Sequence, residues 1–463
     1  MSFSIAELLS ERRSEKFQLH EQYLNNQMVR VLKTIGYDRN YQKAVGQYLY
    51  DQDGNEYLDL LSGFGVFAIG RNHPTVVSAL QETLTLELPN LVQMDVSLLS
   101  GLLAEKILRT TPDNLDKIFF ANSGAEAVEA AIKFARYTTR REKILHCEHS
   151  FHGLTLGALS LNGEEIFREG FGPLLPGCSA IPFNDLEALE RALNGGDVAA
   201  FIVEPIQGKG VNVPDDDYLS ETQRLCRKHG TLFVADEIQT GIGRTGKFWA
   251  IDHWDVQPDI LLMAKALSGG FIPVGAVAMT QKIMDSVFNR MDRAVVHGST
   301  FSKNNMAMAA GLATLQVLEK ENMVDNCAAI GEDIIASLRG MIGQYEFLKE
   351  VRGKGLMIAI EFGPPKSLSL KAAWTMLEAA NKGLFCQMVT IPLFKEHRIL
   401  SQVAGHGMNV VKLLPPLNLT QKDRDWIVNS FSKTIADCHQ VPGSIWDLGK
   451  NLASHAIKGK KGK

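Results

Sequence analysis

Short apolar runs recur along the middle of the chain, each closing on a polar or aromatic residue. Stretches with helical spacing separate them. Lys117-Ile-Phe-Phe-Ala121 turns through Asn122-Ser-Gly-Ala-Glu126 into a helix expected over 125–138. The run 143–146 leads to Phe151-His-Gly153, and Ala199–Val203 leads to Glu204-Pro205. After a helix expected over 218–229, Thr231–Ala235 leads to Asp236-Glu237 and 259–264 leads to Lys265. Runs this short, rich in β-branched and aromatic residues, read as buried strands. Repeated β-α units predict an α/β fold whose sheet is mostly parallel and covered by helices. Ligands gather at the carboxyl ends of strands in such sheets. Ser123, Phe151, Glu204, Asp236 and Lys265 all sit at or just past such ends.

Before these units, residues 1 to about 45 read as helical, with Leu24, Met28, Val31 and Leu32 at helical spacing. Gln47–Leu61 predicts a hairpin about Asp53-Gly54. Helices are expected from near Thr75 and over 98–110. Past about residue 335 the pattern changes. Residues 348–361 read as a strand pair with a glycine turn. A helix at 370–382, more short strands and a helix near 421–436 follow. The division expected is an N-terminal segment (1–74) packing with the small domain, a large domain (75–335), and a small C-terminal α+β domain (336–463). The latter ends in the basic Lys458-Gly-Lys-Lys-Gly-Lys463, read as a frayed, solvated tail.

Composition narrows the function. The 463 residues are 45% hydrophobic and 22% charged, as in ordinary globular proteins. A net charge of -4 gives no reason to expect nucleic acid or an anionic membrane as partner. No apolar run nears the roughly 18 residues of a membrane span. The first residues mix acid and base and lack a signal peptide's apolar core, so a cytoplasmic location is expected. The six cysteines are scattered without a CxxC pair, which suits free thiols in a reducing cytosol. No metal site is expected.

The chemistry starts from Lys265. An amine at the end of a buried strand is poorly hydrated, which lowers its pKa and exposes the nucleophilic neutral form. A snorkelling strand-end lysine is the plain alternative. Asp236, one strand earlier, is either a turn carboxylate or the partner of a pyridine nitrogen. The two together suggest pyridoxal 5'-phosphate: Lys265 would hold the aldehyde as an imine, and Asp236 would keep the ring protonated and electron-withdrawing. The small-residue turn at Ser123 suits a phosphate at a helix N-terminus, though a simple N-cap by Ser123 is equally consistent. Phe151 would stack on the ring, and Gln239 would hydrogen-bond its phenolic oxygen. Core packing and a solvated glutamine are the alternatives.

The motifs Asn122-Ser-Gly-Ala-Glu-Ala127, Phe151-His-Gly153, Val203-Glu-Pro-Ile-Gln-Gly208, Asp236-Glu-Ile-Gln-Thr-Gly-Ile-Gly-Arg-Thr-Gly246, Ala264-Lys-Ala266 and Ser299-Thr-Phe301 occur in that order. The set resembles the class III pyridoxal-phosphate aminotransferases, which include ornithine, acetylornithine, 4-aminobutyrate and putrescine aminotransferases. Gly157-Ala-Leu-Ser160 and Phe171-Gly-Pro-Leu-Leu-Pro-Gly177 look most like putrescine-type members. The resemblance spans about residues 45 to 436. It implies a fold-type-I homodimer with active sites at the subunit interface and a ping-pong reaction through an imine on Lys265. It places Asp236 at the ring nitrogen and Ser123, Gly124 and Ala125 at the phosphate. It adds Phe151, His152 and Gln239 as cofactor contacts, and Thr300 at the neighbouring subunit's cofactor. Glu204 is matched, with an orienting role.

Departures from the family pattern bear on substrate. Members acting on α-amino acids often carry arginine where this chain has Leu154. Many pair a glutamate after Gln-Gly with an arginine before Pro-Pro-Leu; here those positions are Lys209 and Lys412. Two lysines cannot form that switch, and lysine is no substitute for a bidentate arginine. The expectation is a substrate without an α-carboxylate at the reacting carbon: a terminal (ω) amine or its aldehyde, with an oxo-acid as second substrate. Apolar Phe64, Val66, Phe67 and Leu154 either line its pocket or pack in the core. An ornithine-like α-amino acid aminotransferase remains an alternative, as do an amine-phosphate lyase or aminomutase on the same cofactor and a catalytically silent dimer.

Overall fold

The computed structural model describes residues 3–92, 94–440 and 442–461. Its centre is a seven-stranded sheet. In spatial order the strands are Lys117–Ala121, Gly275–Met279, Ile260–Met263, Leu232–Asp236, Val198–Val203, Lys143–Cys147 and Cys178–Ile181. Gly275–Met279 runs antiparallel to both neighbours. The other pairings are parallel. Val198–Val203 and Ile260–Met263 are buried at every position, which is why they read as unbroken apolar runs.

The helix Gly124–Thr139 covers one face of the sheet. Ser123 caps it, its Oγ accepting the Glu126 N–H at 3.2 Å. Its inward face is mostly small, with Ala127, Ala130, Ala131 and Ala135 buried, so helix and sheet approach closely. The long helices Asn305–Lys320 and Met323–Arg339 lead out of this layer.

Two four-stranded sheets lie outside it. One joins the N-terminal strands Tyr41–Val45, Tyr48–Asp51 and Glu56–Asp59 to the late strand Ile399–Leu400, which pairs in parallel with Glu56–Asp59. The other contains Leu348–Lys354, Met357–Phe362, Val410–Leu413 and Gln402–Val403. Gly355, at φ +53°, makes the turn between its first two strands. A Cβ there would press on the Thr245–Gly246 backbone.

Three expectations need correction. The N-terminal helical reading ends too late, since Tyr41–Val45 is a strand. The stripe Leu24, Met28 and Val31 is exposed, and Val29 is the buried residue of the helix Asn26–Ile35. The helix Leu384–Lys395 stands where only short strands were expected. Nearly all its residues are buried, so it carries no polar face to set a period, and Pro392 lies inside it. The final helix, Ser444–Lys461, takes in the first residues of the basic tail. Residues 462 and 463, and the side chains from 455 on, lie outside the described residues. Among the described residues, no helix is long and apolar enough to cross a membrane.

Candidate active site

A cavity of about 900 Å³ opens at the carboxyl ends of the central strands. Ser123, Phe151, Glu204, Asp236 and Lys265 all line it, each delivered by a different strand. The parallel register makes this possible: successive strands end at the same level, so the residue after each faces the same space.

Lys265 opens a short 3₁₀ turn, Lys265–Ser268, directly after Ala264. Its φ of +33° lies in the left-handed region, which a lysine enters only at a cost of about 1–3 kcal/mol. Burial lowers the pKa of its amine, against the opposing charges of Asp236 and Glu204. Among the described residues the amine makes no hydrogen bond or ion pair. It is a strained, desolvated and uncommitted nucleophile.

Asp236 is held from two sides. His152 Nδ1 lies 2.6 Å from its Oδ2, and the Ile238 N–H donates to Oδ1 at 3.0 Å. Burial disfavours the His152 cation, but the hydrogen bond and charge of Asp236 outweigh it and raise the imidazole's pKa. Glu204 fixes two loops. Its carboxylate accepts the Phe151 N–H at 3.1 Å and the Gly208 N–H at 2.8 Å. Burial, with the nearby charge of Asp236 adding to it, raises the Glu204 pKa.

Lys412, on Val410–Leu413, donates to the Gly208 carbonyl at 2.7 Å and lies 3.4 Å from Gln239 Oε1. Burial, reinforced by the neighbouring Lys265 charge, brings its pKa down to about 7. Gln239 donates to the Phe64 carbonyl at 3.1 Å, so both ends of its amide are already engaged. The Lys209 ammonium lies 4.1 Å from the centre of the Phe167 ring.

Most of the expected residues converge here, Gly124, Ala125, His152, Leu154 and Phe64 included. Two do not. Phe67 is outside the lining, because its ring packs beneath the Arg71 guanidinium at 3.9 Å and against Gly270. Thr300 is exposed and also outside this chain's own cavity. Its neighbour Ser299 accepts from Asn122 Nδ2 at 2.6 Å, tying that loop to the Ser123 turn. Phe167, the loop 271–274 and the strand Gln402–Val403 with the loop after it line the cavity without having been expected. They carry no motif.

The residues present suit pyridoxal phosphate. The Gly124 and Ala125 N–H groups, at a helix start, have no acceptor among the described residues. Asp236, Phe151 and Lys265 line the same cavity as that turn.

The class III aminotransferase family model, described as "Aminotransferase class-III", matches residues 33–435. The chain belongs to the class III aminotransferases, a pyridoxal-phosphate-dependent enzyme family. It is 33% identical over 457 residues to the aminotransferase PigE of Serratia sp. (strain ATCC 39006), covering 92% of this chain but only 54% of that one. The chain therefore spans about half the length of that curated relative. The ornithine aminotransferase of Toxoplasma gondii superposes with a TM-score of 0.81 at 31% identity, covering 94% of this chain and 98% of that one. An amine transaminase from an uncultivated Pseudomonas species, solved with pyridoxal phosphate bound, gives a TM-score of 0.76 at 30% identity. That match covers 86% of this chain and 94% of the other. As in those class III relatives of known structure, the fold is a fold-type-I α/β arrangement.

Proposed function

We propose that this class III aminotransferase moves an amino group between a terminal amine, or its aldehyde, and an oxo-acid by a ping-pong reaction. The carrying observation is the cavity wall beside Lys265. That wall includes Leu154, Phe64, Val66 and Phe167 and, among the described residues, no arginine. Its two other lysines have partners within the cavity wall, Lys412 donating to the Gly208 carbonyl and Lys209 lying over the Phe167 ring.

In this reading Gly124 and Ala125 hold the phosphate with Ser123 beside them, Phe151 covers the ring, and His152 keeps Asp236 aimed. Gln239 steadies the Phe64 turn, and Thr300 serves the partner's site. Bound there, the cofactor supplies an electron sink for the carbon that gives up its proton. Lys265 Nζ takes that proton and returns it, a role its lowered pKa favours. Lys412, with a pKa of about 7, supplies a positive charge to an oxo-acid when protonated.

A homodimer is part of the proposal. Leu84, Leu86, Val92, Met94, Val96 and Leu98 are all exposed within one short stretch, a concentration of apolar side chains of the kind that marks an interaction surface. The three-part division of the chain at 74/75 and 335/336 is proposed too, supported by the pairing of Ile399–Leu400 with Glu56–Asp59. So is a cytosolic location, supported by six free cysteines.

The test is bleaching of the yellow, cofactor-loaded enzyme by a panel of ω-amines and α-amino acids. Faster bleaching by ω-amines supports the proposal. A clear preference for α-amino acids overturns it.

A further inference from the structure

Phe167 lies on a single helical turn, Glu165–Arg168, that has no buried residue. Core packing therefore does not place its ring. Two contacts do. The ring meets Phe151 edge-on, with centroids 5.7 Å apart at 76°. Its face carries the Lys209 ammonium at 4.1 Å, and that same ammonium lies 5.8 Å from the Phe151 ring. Lys209 is nearly buried and makes no hydrogen bond or ion pair among the described residues. Burial lowers its pKa, while the charges of Glu164 and Glu204 favour the cation. Glu164 is itself held by His149 at 2.7 Å, which ties the start of the Phe167 turn down. A desolvated ammonium over an aromatic face is a strong form of this contact.

We propose that Lys209, Phe167 and Phe151 form one cation–aromatic cluster walling the substrate side of the cavity, with Phe167 selecting an apolar chain. Lys209 then acts as a positioning residue for Phe167 and does not anchor a carboxylate. The inference deepens the ω-amine reading and rests on it for the direction of the chain.

The test is calorimetric binding of 1-butanol through 1-octanol to the cofactor-loaded enzyme, with alkanoates of equal length alongside. Alkanols bear no reacting amine, so the result stands apart from turnover: slow bleaching by ω-amines sinks the proposed function, whereas the alkanol series decides this one. Affinity should rise about fourfold per methylene in the wild type. Phe167→Ala and Phe167→Leu should flatten that rise. Lys209→Met should flatten it too, weakening 1-octanol by on the order of tenfold, and Lys209→Arg should restore it by returning a cation to the ring. An unchanged slope in Phe167→Leu and Lys209→Met overturns the inference. So does alkanoate binding more than tenfold tighter than alkanol binding and lost in Lys209→Met, because Lys209 would then be an anion anchor.

Discussion

His152 Nδ1 and Asp236 Oδ2 lie 2.6 Å apart with both side chains buried, the histidine wholly so. The aspartate ends one strand and the histidine follows another two places away in the sheet, so the pair couples two loops across the Val198–Val203 strand. The backbone N–H of Ile238 holds the other carboxylate oxygen. Asp236 is thereby fixed from two sides, with no lysine or arginine in hydrogen-bond contact among the described residues.

Removing His152 leaves a buried carboxylate without its partner, a change that costs about 3–5 kcal/mol. His152→Ala should therefore lower the melting temperature and slow bleaching by amines. The imidazole pKa is raised in the fold, so its contribution is present in full below its unfolded value near 6.5 and fades as pH rises through the folded value. The stability deficit of His152→Ala, measured by urea unfolding, should be largest below that unfolded value and should shrink above it.

Lys412 has the opposite sign. Its pKa falls to about 7 in the fold from 10.5, so the unfolded chain binds more protons between those values. Wild-type stability should rise with pH across that window relative to Lys412→Met, by at most about 1.4 kcal/mol per pH unit. Parallel unfolding curves at neutral and alkaline pH check this. Equal pH slopes for the two proteins would show that Lys412 is not desolvated.

Gly275 lies against the turn assigned to phosphate. A Cβ there would come within 2.8 Å of the Ser123 carbonyl carbon, which is backbone and cannot swing away. Gly275→Ala should cost about 1–3 kcal/mol of stability by overpacking. By displacing the Gly124 and Ala125 N–H groups it should also weaken cofactor binding, by about fivefold or more for an overpacking energy of that size. Equilibrium dialysis of the apoprotein reads the second effect separately from the first.

The site was legible in the sequence wherever a strand end carried it. Lys265 and Asp236 follow unbroken apolar runs, and burial of Ile260–Met263 and Leu232–Asp236 explains those runs. Phe167 gave no such signal, because its place comes from a cation 42 positions along the chain, Lys209. Phe67 misled for a related reason: apolar neighbours at 64, 66 and 67 look alike until Arg71 claims one ring. In the fold, the helix Leu384–Lys395 escaped because burial on all sides erases the amphipathic period. The antiparallel strand Gly275–Met279 has the same kind of apolar run as the parallel strands of the sheet, so the run alone does not give its direction.

Three lysines, 209, 265 and 412, share this one cavity, and in the proposed reaction Lys265 alone is the covalent partner of the cofactor. Borohydride reduction of the loaded enzyme followed by peptide mass spectrometry decides it. The expected result is a cofactor adduct on Lys265 and none in Lys265→Ala. An adduct on Lys209 or Lys412 in the wild type, or a saturated wild-type enzyme that yields no adduct, would contradict it.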